Sequence, residues 1–286
     1  MASADKTMEG RVCLITGATS GIGRVTARVL AGKGATVVVH GRSREKCEAV
    51  VKEIRENTGS TRVEYMLADL AGLDDVRKLA SDFKAKYKRL DVLLNNAGAV
   101  YMKRQETVDG FEMTFSVNHL SHFLLTYLLL DVLKTSAPSR IINVSSRAHE
   151  RARMNFGDLQ AKNGYSGMRA YGQSKLANVL FTYELARRLA GTGITANSLH
   201  PGFIATNFGM NNSLMKILRP IVRLIAISEE AGAKTSIYLA SSPEMENVSG
   251  KYFVNEKAVE SSNVSYSRDD AKRLWVMSLE MARLKD

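Results

Sequence analysis

The sequence predicts an α/β fold, a Rossmann-type doubly wound parallel sheet with helices on both faces, in a single domain. Three observations predict it. Apolar strand-like runs alternate with longer helix-like stretches from residue 11 to about 200. A glycine-rich turn joins the first strand to the first helix. No linker, internal repeat or low-complexity tract divides the 286 residues, and the prolines at 138, 201, 220 and 243 all fall between elements.

The strand-like runs are Val12–Thr16, Thr36–His40, Val63–Ala68, Asp91–Asn95, Arg140–Val144 and Ile194–Leu199. They are largely continuous in apolar residues rather than alternating, as strands covered on both faces are. Between them lie helix-like stretches at Gly23–Gly32, Ser43–Asn57, Leu73–Tyr87, Val108–Lys134 and Tyr171–Ala190. Right-handed crossovers assemble such units into an open parallel sheet. A last run, Lys251–Val254, extends its edge.

Composition narrows the class. Hydrophobic residues make up 45% and charged residues 24%, ordinary for a soluble domain that buries a core without staples. Cys13 lies in an apolar strand and Cys47 in a polar helical stretch, which suits the cytoplasm or another reducing compartment. His40, His119, His122, His149 and His200 form no ligand spacing, so no metal is expected and the histidines read as structural. The N-terminal MASADKTMEGR has no apolar core of a signal peptide. The longest apolar run, Phe123–Leu130, falls well short of the roughly 20 residues a membrane helix needs. Asn-x-Ser sequons at Asn143, Asn211, Asn247 and Asn263 carry no meaning without a secretory route. The net charge of +11 is spread along the chain, which reads as a solvated surface rather than a nucleic-acid footprint.

The chemistry begins at Thr16-Gly17-Ala18-Thr19-Ser20-Gly21-Ile22-Gly23. Glycines at 17, 21 and 23 let the backbone turn tightly and approach a pyrophosphate, which the opening helix meets with free N–H groups and its positive dipole end. The position, after an apolar strand and before a helix, identifies a dinucleotide site.

This G-x-x-x-G-x-G spacing resembles the classical short-chain dehydrogenase/reductase family. Other motifs agree in order and place: Asn95-Asn96-Ala97-Gly98 after the fourth strand, Ser145-Ser146 ending the fifth, Asn118 in the helix before it, Tyr171-Gly172-Gln173-Ser174-Lys175, and His200-Pro201-Gly202 after the sixth. The resemblance covers about 9–255, leaving 256–286 as a tail. It implies an oxidoreductase that moves hydride between a nicotinamide and a carbonyl or alcohol carbon of a small molecule. It also implies cofactor contacts from Gly17, Ser20, Gly21, Ile22, Gly23, Asn96, Ala97, Gly98, Tyr171, Lys175, Pro201, Gly202 and Thr206, with Asp69 and Leu70 under the adenine.

The second strand ends in Val39-His40-Gly41-Arg42-Ser43-Arg44. No carboxylate stands there for a ribose 2′-hydroxyl, and Gly41 holds about the place of the aspartate in NAD-preferring relatives. Arg42 can fork onto a 2′-phosphate, with Ser43 as a further donor. NADP(H) is the expected cofactor.

Tyr171 and Lys175 stand four apart on one helix face. A tyrosine with pKa of about 10 is a poor base near neutrality, and a nearby ammonium favours its phenolate. Tyr171 is therefore the expected acid/base and Lys175 its tuner and, by resemblance, a ribose ligand. Ser146 is the preferred substrate-oxygen donor, Ser145 the alternative. Asn118 resembles the family's fourth member, which holds a water linking Lys175 to solvent.

The long interval Arg147–Gly167 and the segment Ser174-Lys175-Leu176-Ala177-Asn178 resemble the retinol dehydrogenase-like branch, which implies lipophilic aldehydes, ketones or alcohols as substrates. A lid is expected at about 203–227. Its stretch 214–227 is basic and amphipathic enough for peripheral membrane contact, although Pro220 interrupts it. Family resemblance also suggests that helices 115–134 and 171–190 pair with a second subunit in a homodimer or homotetramer. A redox-silent NADP(H)-binding regulator on the same fold is the alternative function.

Overall fold

The computed structural model describes residues 6–202 and 228–285. Strands β1 (Val12–Ile15), β2 (Thr36–Gly41), β3 (Val63–Leu67), β4 (Val92–Asn95), β5 (Ser139–Val144), β6 (Ile194–His200), β7 (Tyr252–Val254) and β8 (Lys257–Val259) form one sheet. Their order is β3-β2-β1-β4-β5-β6-β7-β8, parallel except for β8, which returns antiparallel along β7. The helices are α1 (Gly21–Gly32), α2 (Arg44–Thr58), α3 (Leu73–Lys86), α4 (Met113–Phe115), α5 (Ser121–Thr135), α6 (Gly167–Arg188), α7 (Glu229–Ser241) and α8 (Arg268–Met281). A π turn, Ser116–Leu120, joins α4 to α5.

Alternate side chains of each strand feed two cores. Leu14, Val38, Leu93 and Ile141 point to one face, where Leu79, Phe83, Phe123, Phe181 and Trp275 of α3, α5, α6 and α8 cover them. Ile15, Val37, Val39, Leu94 and Ile142 point to the other, against Ala27, Leu30, Ile54 and Leu239 of α1, α2 and α7. The chain leaves β1 toward β2 and β3, then crosses back to β4 on the other side. That reversal opens a crevice beyond the carboxyl ends of β1 and β4, the place where such sheets bind ligands.

The predicted strands lie within a residue of their observed bounds. The helices differ more. The stretch from Val108 does not become helical until Met113, because Gly110 (φ +81°) closes a tight loop between bridged Glu106 and Glu112. The Glu112 carboxylate then caps the helix, accepting from the amides of Thr114 and Phe115. Helix α6 starts four residues before Tyr171, at Gly167, where a Cβ would lie 2.5 Å from the Tyr101 carbonyl. Only glycine lets the helix dock there.

The tail contributes to the core. Trp275 of α8 packs edge-on against Phe123 of α5 (centroids 5.0 Å apart) and against Phe181 of α6. Part of the apolar surface of α5 and α6 is thus covered by the same chain. The expected lid at 203–227, with Thr206, Pro220 and the basic stretch 214–227, lies outside the described residues. No described helix is long and apolar enough to cross a membrane.

The start of β1 is fixed against β4 by a buried carboxylate. Asp91 accepts from the Val12 amide (2.8 Å), from Arg11 (2.7 Å) and from both ends of the Arg89 fork (2.6 and 2.8 Å). It is 2% exposed. Asp91→Ala strands two guanidinium groups and an amide, and should cost about 3 kcal/mol in urea unfolding. A loss under about 1 kcal/mol would remove Asp91 as the register clamp.

Candidate active site

The crevice is built from two loops held at touching distance. Gly17 and Gly21 adopt left-handed φ of +63° and +58°. A Cβ on Gly17 would lie 2.8 Å from the Ala97 Cα, and one on Gly23 would lie 2.6 Å from the Asn96 side-chain nitrogen. Thr16 locks this contact. Its hydroxyl oxygen accepts from the amides of Asn96 (2.9 Å) and Ala97 (3.0 Å), while Asn96 Nδ2 donates back to the carbonyls of Thr16 and Gly17. Ser20 precedes α1 in an extended conformation with its side chain uncommitted to the helix, and no acid occupies the first turn. The amides of Gly21, Ile22 and Gly23 therefore open a 12-residue helix toward the crevice, which fits a pyrophosphate.

At the end of β2, Gly41 does more than lack an acid. A Cβ there would meet Thr19 at 2.5 Å and Cys47 at 2.8 Å, so the position has no room for aspartate. Arg42 is largely exposed and lies 3.8 Å from Asp69, whereas Arg44 is engaged with the Tyr65 hydroxyl (2.8 Å). Of the two arginines, Arg42 is the one presented to a ligand. Ser43 accepts the Lys46 amide as the cap of α2, which leaves its hydroxyl proton to donate. Asp69 accepts from the Ala71 amide, and Leu70 is buried beneath that turn.

Beyond β5, the structure brings Ser146, Tyr171 and Lys175 together. The Ser146 hydroxyl lies close enough to the Tyr171 phenol to lower its pKa, and it accepts the Ala148 amide at 3.2 Å. Ser145 is spent elsewhere, donating to the Lys175 carbonyl at 2.7 Å. The Lys175 ammonium lies 5.6 Å from the Tyr171 ring centroid and donates to the Val144 carbonyl at 3.1 Å. Gly172 makes this possible, since the turn Arg147–Arg151 crosses α6 with the Ala148 carbonyl 3.0 Å from a hypothetical Cβ.

The electrostatics correct one expectation. Burial pushes Tyr171 up to about 12, and the Ser146 hydroxyl only partly offsets this. Lys175 is itself pulled down to about 8 by burial. Burial thus favours the protonated phenol, the form that can donate a proton.

The Asn118 side chain is engaged with the loop after Gly98 and with α6. Oδ1 accepts from the Ala99 amide (2.7 Å), while Nδ2 donates to the Ala99 carbonyl and the Ser174 hydroxyl (both 2.9 Å). It holds the loop after Gly98 against α6. Its main-chain carbonyl, accepting from Asn178 at 2.9 Å, is what points toward the lysine's surroundings. Pro201 and Gly202 follow β6 at the same edge of the sheet.

From sequence alone the histidines had no place in the site, yet four of them brace it. Each takes one N–H or O–H donor on one ring nitrogen and meets a carbonyl with the other. His40 accepts from the Gly17 amide (3.3 Å) and faces the Ala68 carbonyl (3.2 Å). His149 faces the Ser146 carbonyl (2.7 Å) and accepts from the Ser262 amide (3.1 Å). His119 bridges Asn178 and the Ser278 hydroxyl of α8, and His122 bridges Thr16 and the Asn118 carbonyl. A carbonyl accepts only, so the facing nitrogen carries the proton and the other is the acceptor. The signal was present: His119 and His122 are polar residues in a helix that is otherwise apolar almost all round. Among the described residues, no group of metal-ligating side chains assembles.

A family model described as short chain dehydrogenase matches residues 11–216. Retinol dehydrogenase 12 of Mus musculus is 44% identical over 272 residues, which is 95% of this chain and 86% of the relative. Retinol dehydrogenase 13 of Homo sapiens is 44% identical over 98% of this chain and 86% of its own length. Among solved structures, an uncharacterized protein from Mycobacterium paratuberculosis superposes with a TM-score of 0.79 at 35% identity, covering 97% of this chain and 95% of that one. A short chain dehydrogenase from Burkholderia cenocepacia in complex with NADP gives 0.70 at 27% identity, covering 86% and 96%.

The neutral imidazoles make the fold acid-sensitive. Burial holds His40 and His119 at about 4 and His122 at about 3, below the ordinary 6.5, and lowers His149. The unfolded chain then takes up protons first, so their stabilisation is complete above pH 6.5 and is lost as pH falls toward 4. Each of the first three should remove roughly 2 kcal/mol by pH 5. The melting temperature should drop steadily across that interval at fixed ionic strength; an unchanged value down to pH 5 would contradict the neutral bridges.

Proposed function

The chain belongs to the short chain dehydrogenase family as a retinol dehydrogenase-like oxidoreductase, and from that premise we propose that it is NADP(H)-dependent and acts on a lipophilic aldehyde, ketone or secondary alcohol. The observation that carries the reading is the Lys175 ammonium 5.6 Å from the Tyr171 ring centroid, with the Ser146 hydroxyl within electrostatic reach of the same phenol.

The glycine turn, through Gly17, Ser20, Gly21, Ile22 and Gly23, would hold the pyrophosphate, with Asn96, Ala97 and Gly98 as the opposite wall. Arg42 and Ser43 would bind the 2′-phosphate, and Asp69 and Leu70 would flank the adenine. Pro201 and Gly202 would meet the nicotinamide end, where the family resemblance also assigns Thr206. When bound, the reduced nicotinamide supplies a hydride to the carbonyl carbon. With substrate present, Ser146 would turn its hydroxyl proton from the phenol to the carbonyl oxygen. Tyr171, kept protonated by burial, gives its phenolic proton to that oxygen, and the alcohol forms. Lys175 would stabilise the phenolate left behind and, by family resemblance, would hydrogen-bond the nicotinamide ribose. In the reverse direction, the phenolate takes the alcohol proton. The exposed Met102 and Met168, near where α6 docks, offer apolar surface suited to a lipophilic substrate.

The test is loss of reduced-nicotinamide absorbance with NADPH or NADH and a panel of aldehydes, ketones, diones and retinal. Tyr171→Phe should lower kcat at least about 100-fold while NADPH affinity is retained. Turnover surviving in that variant would remove Tyr171 as the acid. Tight NADPH binding with no turnover of any substrate would favour a redox-silent binder. Arg42→Leu should raise KM for NADPH about tenfold or more and leave KM for NADH unchanged, since it removes only a charged hydrogen-bond partner of the phosphate. Equal effects on both would refute the 2′-phosphate role.

A further inference from the structure

We propose that His122 is a positioning residue that ties the dinucleotide-binding turn to the seat of Lys175, an inference that rests on the functional reading above. The imidazole lies fully buried at the start of α5, between the two halves of the site. Its Nε2 is 3.1 Å from the Thr16 hydroxyl and its Nδ1 is 3.1 Å from the Asn118 carbonyl.

Each link in this string has a single direction. The Asn118 carbonyl only accepts, so Nδ1 bears the proton and Nε2 is a lone pair. Thr16 then donates its hydroxyl proton to Nε2 at 3.1 Å in preference to the more distant Leu94 carbonyl at 3.4 Å, while accepting from the amides of Asn96 and Ala97. The hydroxyl is thereby saturated. At the other end, the Asn118 carbonyl sits in the π turn, where ordinary helical pairing is loosened, and accepts a second side-chain donor, Asn178 Nδ2 at 2.9 Å. The same Nδ2 lies 3.3 Å from the Val144 carbonyl, which takes the Lys175 ammonium at 3.1 Å. The titratable groups that face His122 are Lys175, whose ammonium disfavours a second proton on the ring, and His40 and His119, which add the same effect only once protonated.

The consequence is mechanical. The Asn96–Ala97 wall, the end of β1, the π turn and the carbonyl under the catalytic ammonium share one chain of donors and acceptors without slack. A hydroxyl removed at Thr16 frees the imidazole to rotate and withdraws the Asn118 carbonyl from Asn178. Thr16 touches neither Tyr171 nor substrate, yet its loss should reach the chemical step through His122. Simple packing would not transmit such an effect.

Two measurements decide it. In the first, the ring nitrogens of 15N-histidine-labelled protein are followed by NMR, with His122→Leu used for assignment. The expected result is the Nδ1–H tautomer, with the His122 Nε2 resonance shifting when NADP+ is added. An Nε2–H tautomer, or no response to NADP+, overturns the proposal. In the second, kcat is measured at saturating NADPH for Thr16→Val, His122→Leu and their double variant. Each single change should lower kcat about tenfold, and the double should be no slower than the worse single. Thr16→Ser, which restores the hydroxyl, should return kcat to within about twofold of the parent. Multiplying effects in the double, or a change confined to KM for NADPH, overturns the coupling. Should His122→Leu fail to fold, assignment through Thr16→Val and the comparison of valine with serine at position 16 decide the same two points. Absence of turnover in the unmodified protein would overturn the functional reading instead, while the tautomer and its response to NADP+ still decide the link.

Discussion

The molecule is organised around a close approach of two backbones at the carboxyl edge of the sheet. Gly17 packs on Ala97, and Gly23 packs on Asn96, at distances that admit no Cβ. A side chain at either glycine would force the first turn away from the loop after β4, and the crevice between them would lose its shape. The sheet order supplies the opportunity, because the chain reverses direction between β1 and β4. Asp91 sets the two strands in register at one end, and Thr16 closes them at the other. Between those clamps, the open end of α1 faces the crevice and meets an anion without any lysine in the loop itself.

Desolvation governs the rest of the site. It keeps the Tyr171 phenol protonated, softens the Lys175 ammonium and holds the buried histidines neutral. A neutral imidazole accepts at one nitrogen and donates at the other across a rigid plane. That makes it suited to joining an amide to a carbonyl where both are cut off from water. His40 steadies the glycine turn, His149 the carbonyl of Ser146, and His119 the contact with the last helix. The histidines thus hold in place the loops that carry the chemistry, at the cost of stability in acid.

Much of this was legible in the sequence. The continuous apolar runs around Leu14, Val38, Leu93 and Ile141 announced a sheet covered on both faces, and the three glycines announced the turn. Tyr171 and Lys175, four apart on one helix, were legible for the same reason, since local spacing fixes their common face. What escaped were properties of tertiary contact. The late start of α4 depends on a left-handed Gly110 and a carboxylate cap from Glu112. The absence of space at Gly41 depends on Thr19 and Cys47 meeting there from other elements. The tail beyond residue 255 carried no motif, yet Trp275 closes the core over α5 and α6. The direction of the Tyr171 shift was misjudged because a charge pair can be read from spacing, whereas burial can be read only from the packed structure.

The proposed reaction is hydride transfer to a carbonyl carbon, directed by Tyr171, Ser146 and Lys175. Its most direct test uses NADPH carrying deuterium at C4, prepared separately on each face of the ring, with the most rapidly reduced aldehyde or ketone and mass spectrometry of the alcohol. One deuterium is expected on the carbinol carbon from one of the two preparations only. NADPH consumption that gives unlabelled alcohol from both preparations would contradict hydride transfer.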